Sequence, residues 1–194
     1  ASLKENMQVA CLILQFTISG VLLLSPVFLV QLHPELKMGT LSLCVFVAAS
    51  DDRPATLGSS FLGGLLSDIY GRRWVLIGTL VAILGGTLLL FVDTYAAFIL
   101  IGLGVGPANN ISFVYVAEQV EKRQLCSILV LCGWATGEIL LGGIFSQPNI
   151  GRNNNRLFAI EMAGVSAVLL LLSIVFLVET KTFLSYLEAH PRRR

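Results

Sequence analysis

The chain has 194 residues, of which 55% are hydrophobic and 13% are charged, about half the charged share of an average globular domain. Thirteen Lys and Arg against twelve Asp and Glu leave a formal net charge of +1, which excludes the basic surface of a nucleic-acid-binding protein. The apolar residues form blocks long enough to cross a bilayer, which requires about 20 predominantly apolar residues. The composition excludes a soluble enzyme, a disulfide-rich scaffold and a disordered chain, and it predicts a polytopic membrane protein.

Polar breaks divide the chain into six predicted membrane-spanning helices. They cover about residues 8–32, 41–67, 74–92, 95–117, 125–146 and 157–178, and a polar tail follows over 179–194. We therefore predict an all-α, integral membrane six-helix bundle. The second helix contains the segment 50–56, in which three charged residues and Pro54 are unfavourable in lipid. This segment either caps the helix in an outer vestibule, which we favour, or breaks it inside a watery cavity.

Lys and Arg are distributed unequally between the two sides of the predicted membrane. The N-terminus, the second and fourth loops and the tail hold nine of them, whereas the first, third and fifth loops hold three. Loops on the cytoplasmic side carry an excess of Lys and Arg. Both termini are therefore predicted to lie on the cytoplasmic side, and an even number of helices requires that they share a side.

Small residues recur where the predicted helices must approach one another. They occur at Gly63-Gly64, Gly85-Gly86, Gly102-x-Gly104-x-Gly106, Gly133-xxx-Gly137 and Gly142-Gly143. Glycine lets helix backbones approach closely in lipid, so we interpret most of these positions as packing sites, with helix sliding as the alternative. The four cysteines lie in apolar stretches without metal-ligand spacing, and the sequence predicts neither a metal nor a cofactor.

An ordered set of five residues joins the second and third predicted helices: Gly64, Asp68, Gly71, Arg72 and Arg73. Gly71 permits the positive φ of a tight turn. Asp68 lies where the N-terminus of the next helix favours a negative charge. The two arginines are placed to meet anionic headgroups at the cytoplasmic face.

This set resembles the signature between helices two and three of the major facilitator superfamily of solute transporters. Two further runs are similar to the same superfamily: Tyr115-Val116-Ala117-Glu118 with Lys122-Arg123 after the fourth helix, and Glu179-Thr180-Lys181-Thr182-Phe183-Leu184 after the sixth. The resemblance covers about residues 8–190 and implies one six-helix half of a twelve-helix carrier. The sugar porters, organic ion transporters and synaptic-vesicle-protein-like transporters are the most similar branches. The resemblance implies a conformational signature formed by Gly64, Asp68, Gly71, Arg72, Arg73, Glu118 and Arg123.

Two positions depart from the pattern of that superfamily. Ile69 stands where a basic residue usually follows the aspartate, and Phe98 stands where the fourth helix usually carries an arginine. Because that arginine is associated with proton-linked chemistry in many members, its replacement puts proton coupling in doubt.

Polar residues inside the predicted spans are candidates for a solute-binding site. In the resembled fold, helices one and four line the central cavity, which implies such a role for Gln15, Asn109 and Asn110. Amide side chains also tie helices together in lipid, which is the alternative interpretation. Glu138 and Glu161 fall at similar predicted depths, where two carboxylates can bind a cation or exchange protons.

Simpler interpretations stand beside these. Glu161 reaches the outer headgroups, Glu138 bonds to a neighbouring helix, and Trp134 fills the bundle instead of stacking on a ligand.

The sequence contains no nucleophile–base pair, phosphate loop or metal-ligand spacing, so it predicts no enzyme. One bundle supplies one wall of a carrier's cavity and cannot rock against itself. We therefore predict transmembrane transport of a small polar or ionic solute as one half of a secondary carrier that needs a second bundle. The alternative is a transport-inactive, transporter-derived structural subunit of a larger membrane complex. The predicted partners are the lipid bilayer and either a second six-helix bundle or subunits of such a complex, with no nucleic acid.

Overall fold

The computed structural model of the chain describes residues 3–32, 59–119, 123–145 and 155–189. Within these ranges the chain forms seven helices and no strand. They are α1 (Leu3–Leu32), α2 (Ser59–Tyr70), α3 (Arg72–Leu89), α4 (Thr94–Gln119), α5 (Arg123–Phe145), α6 (Asn155–Phe176) and α7 (Lys181–Ala189). The segment 50–56 and most of the predicted second helix lie outside the described residues.

Three of the described helices are long and apolar enough to cross a membrane: Arg72–Leu89, Thr94–Gln119 and Ala159–Phe176. Two shorter apolar stretches, Asn6–Leu22 in α1 and Cys126–Leu140 in α5, accompany them. An all-helical chain with several apolar helices of this length has the architecture of a multi-pass membrane protein, because only helices satisfy their own backbone hydrogen bonds in lipid.

The helices pack as one bundle. α1 lies against α5 and α6, α3 lies against α4 and α6, and α2 lies against α4. Two clusters of buried apolar side chains form the core. The first contains Ile18, Val21, Leu22, Leu80, Ile83, Phe98, Ile101, Val105, Met162 and Leu169. The second contains Val9, Leu12, Phe16, Leu76, Ile111, Tyr115, Val116, Val130 and Leu177, nearer to the turn between α2 and α3.

Glycines bring the backbones of α1 and α5 into contact. A Cβ added at Gly133 would lie 2.6 Å from the carbonyl oxygen of Ile13, and one added at Gly137 would overlap the carbonyl oxygen of Thr17. Close approach of this kind is the main source of helix association in lipid, where apolar contact with a neighbour replaces apolar contact with acyl chains. The packing interpretation of Gly133-xxx-Gly137 is therefore confirmed for this helix pair.

The turn between the helices α2 and α3 is tighter than the sequence predicts. α2 continues through Ser67 to Tyr70, and α3 begins at Arg72, directly after the turn at Gly71.

The carboxylate of Asp93 accepts hydrogen bonds from the backbone N–H groups of Tyr95 (2.9 Å) and Ala96 (3.4 Å). Asp93 therefore acts as the cap of α4, as short polar residues before a helix commonly do.

The predicted polar tail contains the amphipathic helix α7. Its first turn is closed by a hydrogen bond from the Leu184 N–H to the Thr180 carbonyl oxygen, at 3.1 Å. α7 packs against α4, and the Phe183 ring lies beside Gly71. Of the described apolar side chains of α7, Phe183 is half-buried at this contact, whereas Leu184 and Tyr186 are exposed.

Candidate functional site

The turn between α2 and α3 carries an ion pair that is largely shielded from water. Nη2 of Arg72 donates a hydrogen bond to Oε1 of Glu118 in α4, at 2.6 Å. The two side chains are only 17% and 16% exposed, so the pair is shielded from water and is stronger than a surface salt bridge. Asp68 is 71% exposed, and its carboxylate lies 4.0 Å from the same guanidinium, so it contributes much less.

Glu179 caps the N-terminus of α3. Its Oε1 accepts hydrogen bonds from the backbone N–H groups of Arg72 (2.9 Å) and Arg73 (3.3 Å), and also from that of Thr180 (3.2 Å). The first N–H groups of a helix have no partner within the helix and carry a partial positive charge. The carboxylate at this helix N-terminus is therefore that of Glu179 and not that of Asp68, which lies on the exposed side of α2.

Gly71 makes this capping contact possible. It is the only residue with positive φ in the described part of the chain, at 93°. A Cβ at this position would lie 2.5 Å from Oε2 of Glu179. Glycine is therefore required at position 71 for two reasons: it adopts the positive φ, and it leaves room for the Glu179 carboxylate.

Arg73 and Tyr115 attach the end of α6 to the same cluster. Nη2 of Arg73 donates to the carbonyl oxygen of Ile174 at 3.0 Å, and its guanidinium lies 5.4 Å from the centre of the Trp74 ring. The Tyr115 hydroxyl donates to the carbonyl oxygen of Val178 at 2.7 Å and accepts from its N–H at 3.2 Å. We call the cluster of Asp68, Arg72, Arg73, Glu118 and Glu179 the charged end. It joins α2, α3, α4 and the exit of α6.

Two other residues of the predicted signature contribute less. A Cβ added at Gly64 would meet no atom within 4 Å, so the structure shows no close helix contact there. Arg123 is the first residue of α5, and its side chain lies outside what the structure describes.

The predicted solute-site amides have different environments. Gln15 is 1% exposed, and its Nε2 donates to the Thr79 hydroxyl at 3.2 Å, which joins α1 to α3. Its Oε1 accepts no hydrogen bond from the described residues. Asn109 is half-buried with its Oδ1 likewise unpartnered, whereas Asn110 is exposed on α4. Gln15 thus makes the helix-tying contact that was the alternative interpretation.

Trp134 and Glu138 form a pair on α5. The indole N–H of Trp134 donates to Oε1 of Glu138 at 2.7 Å, one helical turn away. The Trp134 ring also packs edge-on against Phe16 of α1, with ring centres 6.4 Å apart. Trp134 is half-buried and Glu138 is exposed. The structure therefore combines an aromatic that fills the bundle with an accessible carboxylate.

Glu138 and Glu161 do not line a common pocket. Glu161 lies in a groove formed by α1, α5 and α6, and Glu138 is absent from the described lining of that groove. Glu138 instead accepts the hydrogen bond from the indole N–H of Trp134 on its own helix.

The two departures from the superfamily pattern are visible in the structure. Phe98 is completely buried in the first core cluster, so an apolar contact occupies that position of α4. Ile69 is 65% exposed beside Asp68.

Sequence reasoning missed three contributing residues. In the sequence Glu179 stands only within a terminal motif, and nothing there identifies the backbone of α3 as its partner. Tyr115 belonged to a recognised run but had no assigned contact. Thr79, the partner of Gln15, is an isolated hydroxyl in an apolar helix, and such a residue is itself a signal for an interhelical hydrogen bond.

The apolar helices and the ion-paired turn together define a multi-pass membrane bundle. A family model described as "Sugar (and other) transporter" matches residues 55–191, which include α2 to α7. The chain belongs to this family, whose members are transporters and not enzymes. The predicted resemblance to the major facilitator superfamily is therefore confirmed, and so is a multi-pass location in the membrane.

The chain is also similar to the facilitated glucose transporter member 10 of solute carrier family 2 from Mus musculus. The two sequences are 37% identical over 98 residues. The matched region covers 48% of this chain and 16% of the mouse protein.

Proposed function

We propose that this chain forms one half of a secondary carrier for a small uncharged polar solute, with a second six-helix bundle supplying the opposite wall. The charged end is the observation that carries this proposal. Its hydrogen bonds hold α3, α4 and the end of α6 to one another at a single face of the bundle. A bundle held rigid at one end can rock as a unit against a partner.

The proposed substrate follows from the family and from the polar groups present. The mouse relative is named as a glucose transporter, and a hexose presents hydroxyl donors and acceptors. Asn110 and Glu138 are exposed on α4 and α5, two helices that pack together. In this proposal they contact the solute, Trp134 holds Glu138 in place, and Asn109 supplies a further acceptor. Phe98 in place of arginine favours facilitated movement over proton coupling.

We also propose that the charged end lies on the cytoplasmic side, together with both termini. The excess of Lys and Arg in the loops of that side supports this orientation.

Uptake into liposomes tests the carrier proposal. The chain is reconstituted alone and together with each six-helix half of a family member in turn, and uptake of D-glucose is compared with that of L-glucose. We expect saturable, stereospecific uptake only when a second bundle is present, as a co-reconstituted half or as a cross-linked second copy. The absence of stereospecific uptake in all of these preparations would overturn the proposal.

A transport-inactive structural subunit is the second candidate. The burial of Phe98 among apolar side chains favours it, since an apolar residue there leaves that part of α4 without polar chemistry. Stoichiometric copurification with a larger membrane complex, combined with the absence of solute binding, would establish this role in place of transport.

A further inference from the structure

A groove on the side of the bundle has one charged residue, Glu161, in its described lining. It has a volume of about 610 Å³ and lies between α1, α5 and α6. Ile18 and Val21 form its floor, and Leu140, Val165 and Val168 are among the apolar residues of its walls. Ile160, Val165 and Val168 are each about half exposed, so the groove opens on the outer surface of the bundle. This volume is within the range of small-molecule sites.

The polar groups of the groove accept hydrogen bonds and do not donate them. Glu161 is an acceptor when ionised. The hydroxyl of Thr17, the other polar group in the lining, donates its hydrogen to the carbonyl oxygen of Ile13 at 2.9 Å, which leaves only lone pairs for a ligand. The groove is therefore complementary to a cation that carries N–H donors.

Glu161 has no basic partner in the described part of the chain, where the ion pairs join Arg72 to Asp68 and to Glu118. Glu161 lies near the start of the apolar stretch Ala159–Phe176, where a bound cation lowers the cost of placing a carboxylate in lipid. No Lys or Arg among the described residues lines the groove. The described lining therefore offers a basic partner to no anionic group, such as the phosphate of a phospholipid, and offers a carboxylate to a cation.

We propose that this groove binds a lipophilic ammonium compound, with the protonated amine on Glu161 and the apolar body between α1, α5 and α6. This site belongs to one bundle and does not depend on the carrier proposal.

Gly164 allows the groove to be filled without disturbing the core. It lies in the lining, and a Cβ added there meets no atom within 4 Å. Gly78 of α3 is a matched position, since it has the same open surroundings and lies in a different groove formed by α2, α3 and α4. Gly164→Leu therefore tests occupancy, Gly78→Leu controls for adding a leucine to a helix surface, and Glu161→Gln removes the charge at constant shape.

The test uses dansylcadaverine, a fluorescent primary amine, with the full chain in phosphatidylcholine nanodiscs and empty nanodiscs as background. We expect saturable binding to the unchanged chain and to Gly78→Leu. We expect affinity about tenfold or more weaker for Glu161→Gln, because a hydrogen bond to a charged group is lost, and a similar loss for Gly164→Leu. The N-acetylated probe, which has no charge, should show no saturable binding. Circular dichroism and gel filtration establish that the variants fold.

Three outcomes would overturn the proposal. The first is the absence of saturable binding to the unchanged chain, and the second is equal binding by Glu161→Gln or Gly164→Leu. The third is displacement of the probe when phosphatidylethanolamine replaces phosphatidylcholine, which would identify a lipid headgroup site. Loss of glucose uptake in liposomes with unchanged probe binding would count against the carrier proposal alone.

Discussion

Individual residues at the charged end differ in how much they contribute, and burial decides the order. The Arg72 and Glu118 side chains are both more than four-fifths buried and joined at 2.6 Å, whereas Asp68 is largely exposed. Removing one member of a buried pair leaves the other without a partner in a low-dielectric environment. The arginine that the sequence signature identified is thus central to the cluster, and the aspartate of the same signature is peripheral in this conformation.

Arg72→Gln is expected to lower the free energy of unfolding by about 2 kcal/mol, since a hydrogen bond between charged groups is lost. Thermal unfolding in detergent, followed by circular dichroism, measures this change. Asp68→Asn is the control, with an expected change below about 0.5 kcal/mol because exposed charges at 4 Å interact weakly. Equal effects of the two substitutions would contradict the assignment of Glu118 as the main partner.

Gly71→Ala is expected to destabilise the chain by about 2 kcal/mol or more, because alanine is strained at a φ of 93° and its Cβ displaces Glu179. The Gly71→Ala, Glu179→Gln double variant separates the two causes. If displacement of the Glu179 cap contributes, the double variant loses less free energy of unfolding than the Gly71→Ala and Glu179→Gln single variants lose when added together. Strict additivity would attribute the whole effect to the backbone.

At the scale of the helices, backbone proximity holds α1 against α5. Gly133 and Gly137 have no side chains, so nothing keeps the carbonyl groups of Ile13 and Thr17 away from the backbone of α5. A stripe of small residues has this effect only on the side that faces another helix. Gly164 in α6 is also a glycine within an apolar helix, yet it faces open space.

Gly137→Ala is therefore expected to weaken the bundle by about 2 kcal/mol, as overpacking of a close contact does. Gly164→Ala is the matched substitution, and it should leave stability unchanged or raise it by up to about 1 kcal/mol through better helix propensity. Unfolding of both variants in the same detergent gives the comparison. A loss of stability with Gly164→Ala as large as that with Gly137→Ala would show that helix contact is not the cause.

For the whole molecule, the orientation of the bundle in the membrane is predicted by the charges of its loops, because the geometry of the helices is the same in either orientation. We expect the charged end to face the cytoplasm because the loops on that side hold nine Lys and Arg against three on the other. Asp68 is suited to a labelling test because it is 71% exposed at that end.

An Asp68→Cys variant in a cysteine-free background is expected to react with a membrane-impermeant maleimide only after the cells are permeabilised. A cysteine at Val92, which is 84% exposed beyond the other end of α3, should react in intact cells. The reverse pattern would invert the predicted orientation without changing the fold.

Several features could be predicted from the sequence because they are local. A run of about 20 apolar residues must be helical in lipid, so the apolar composition determined the helical class. The turn at Gly71 was predictable because glycine between two helices tolerates positive φ. The order of the signature residues was specific enough to indicate the transporter family, which the match over residues 55–191 confirmed.

The tertiary structure decided which of these residues meet. The sequence predicted a carboxylate at the N-terminus of α3, but the packing of the α6 exit placed Glu179 there, 107 positions along the chain from Arg72. Helix packing also paired Gln15 with Thr79. It placed Glu138 beside Trp134 and Glu161 in the groove between α1, α5 and α6. Membrane helices form from the hydrophobicity of their own residues, whereas contacts between them depend on which faces pack together. Information about those faces is distributed over helices far apart in the chain, and only folding brings it together.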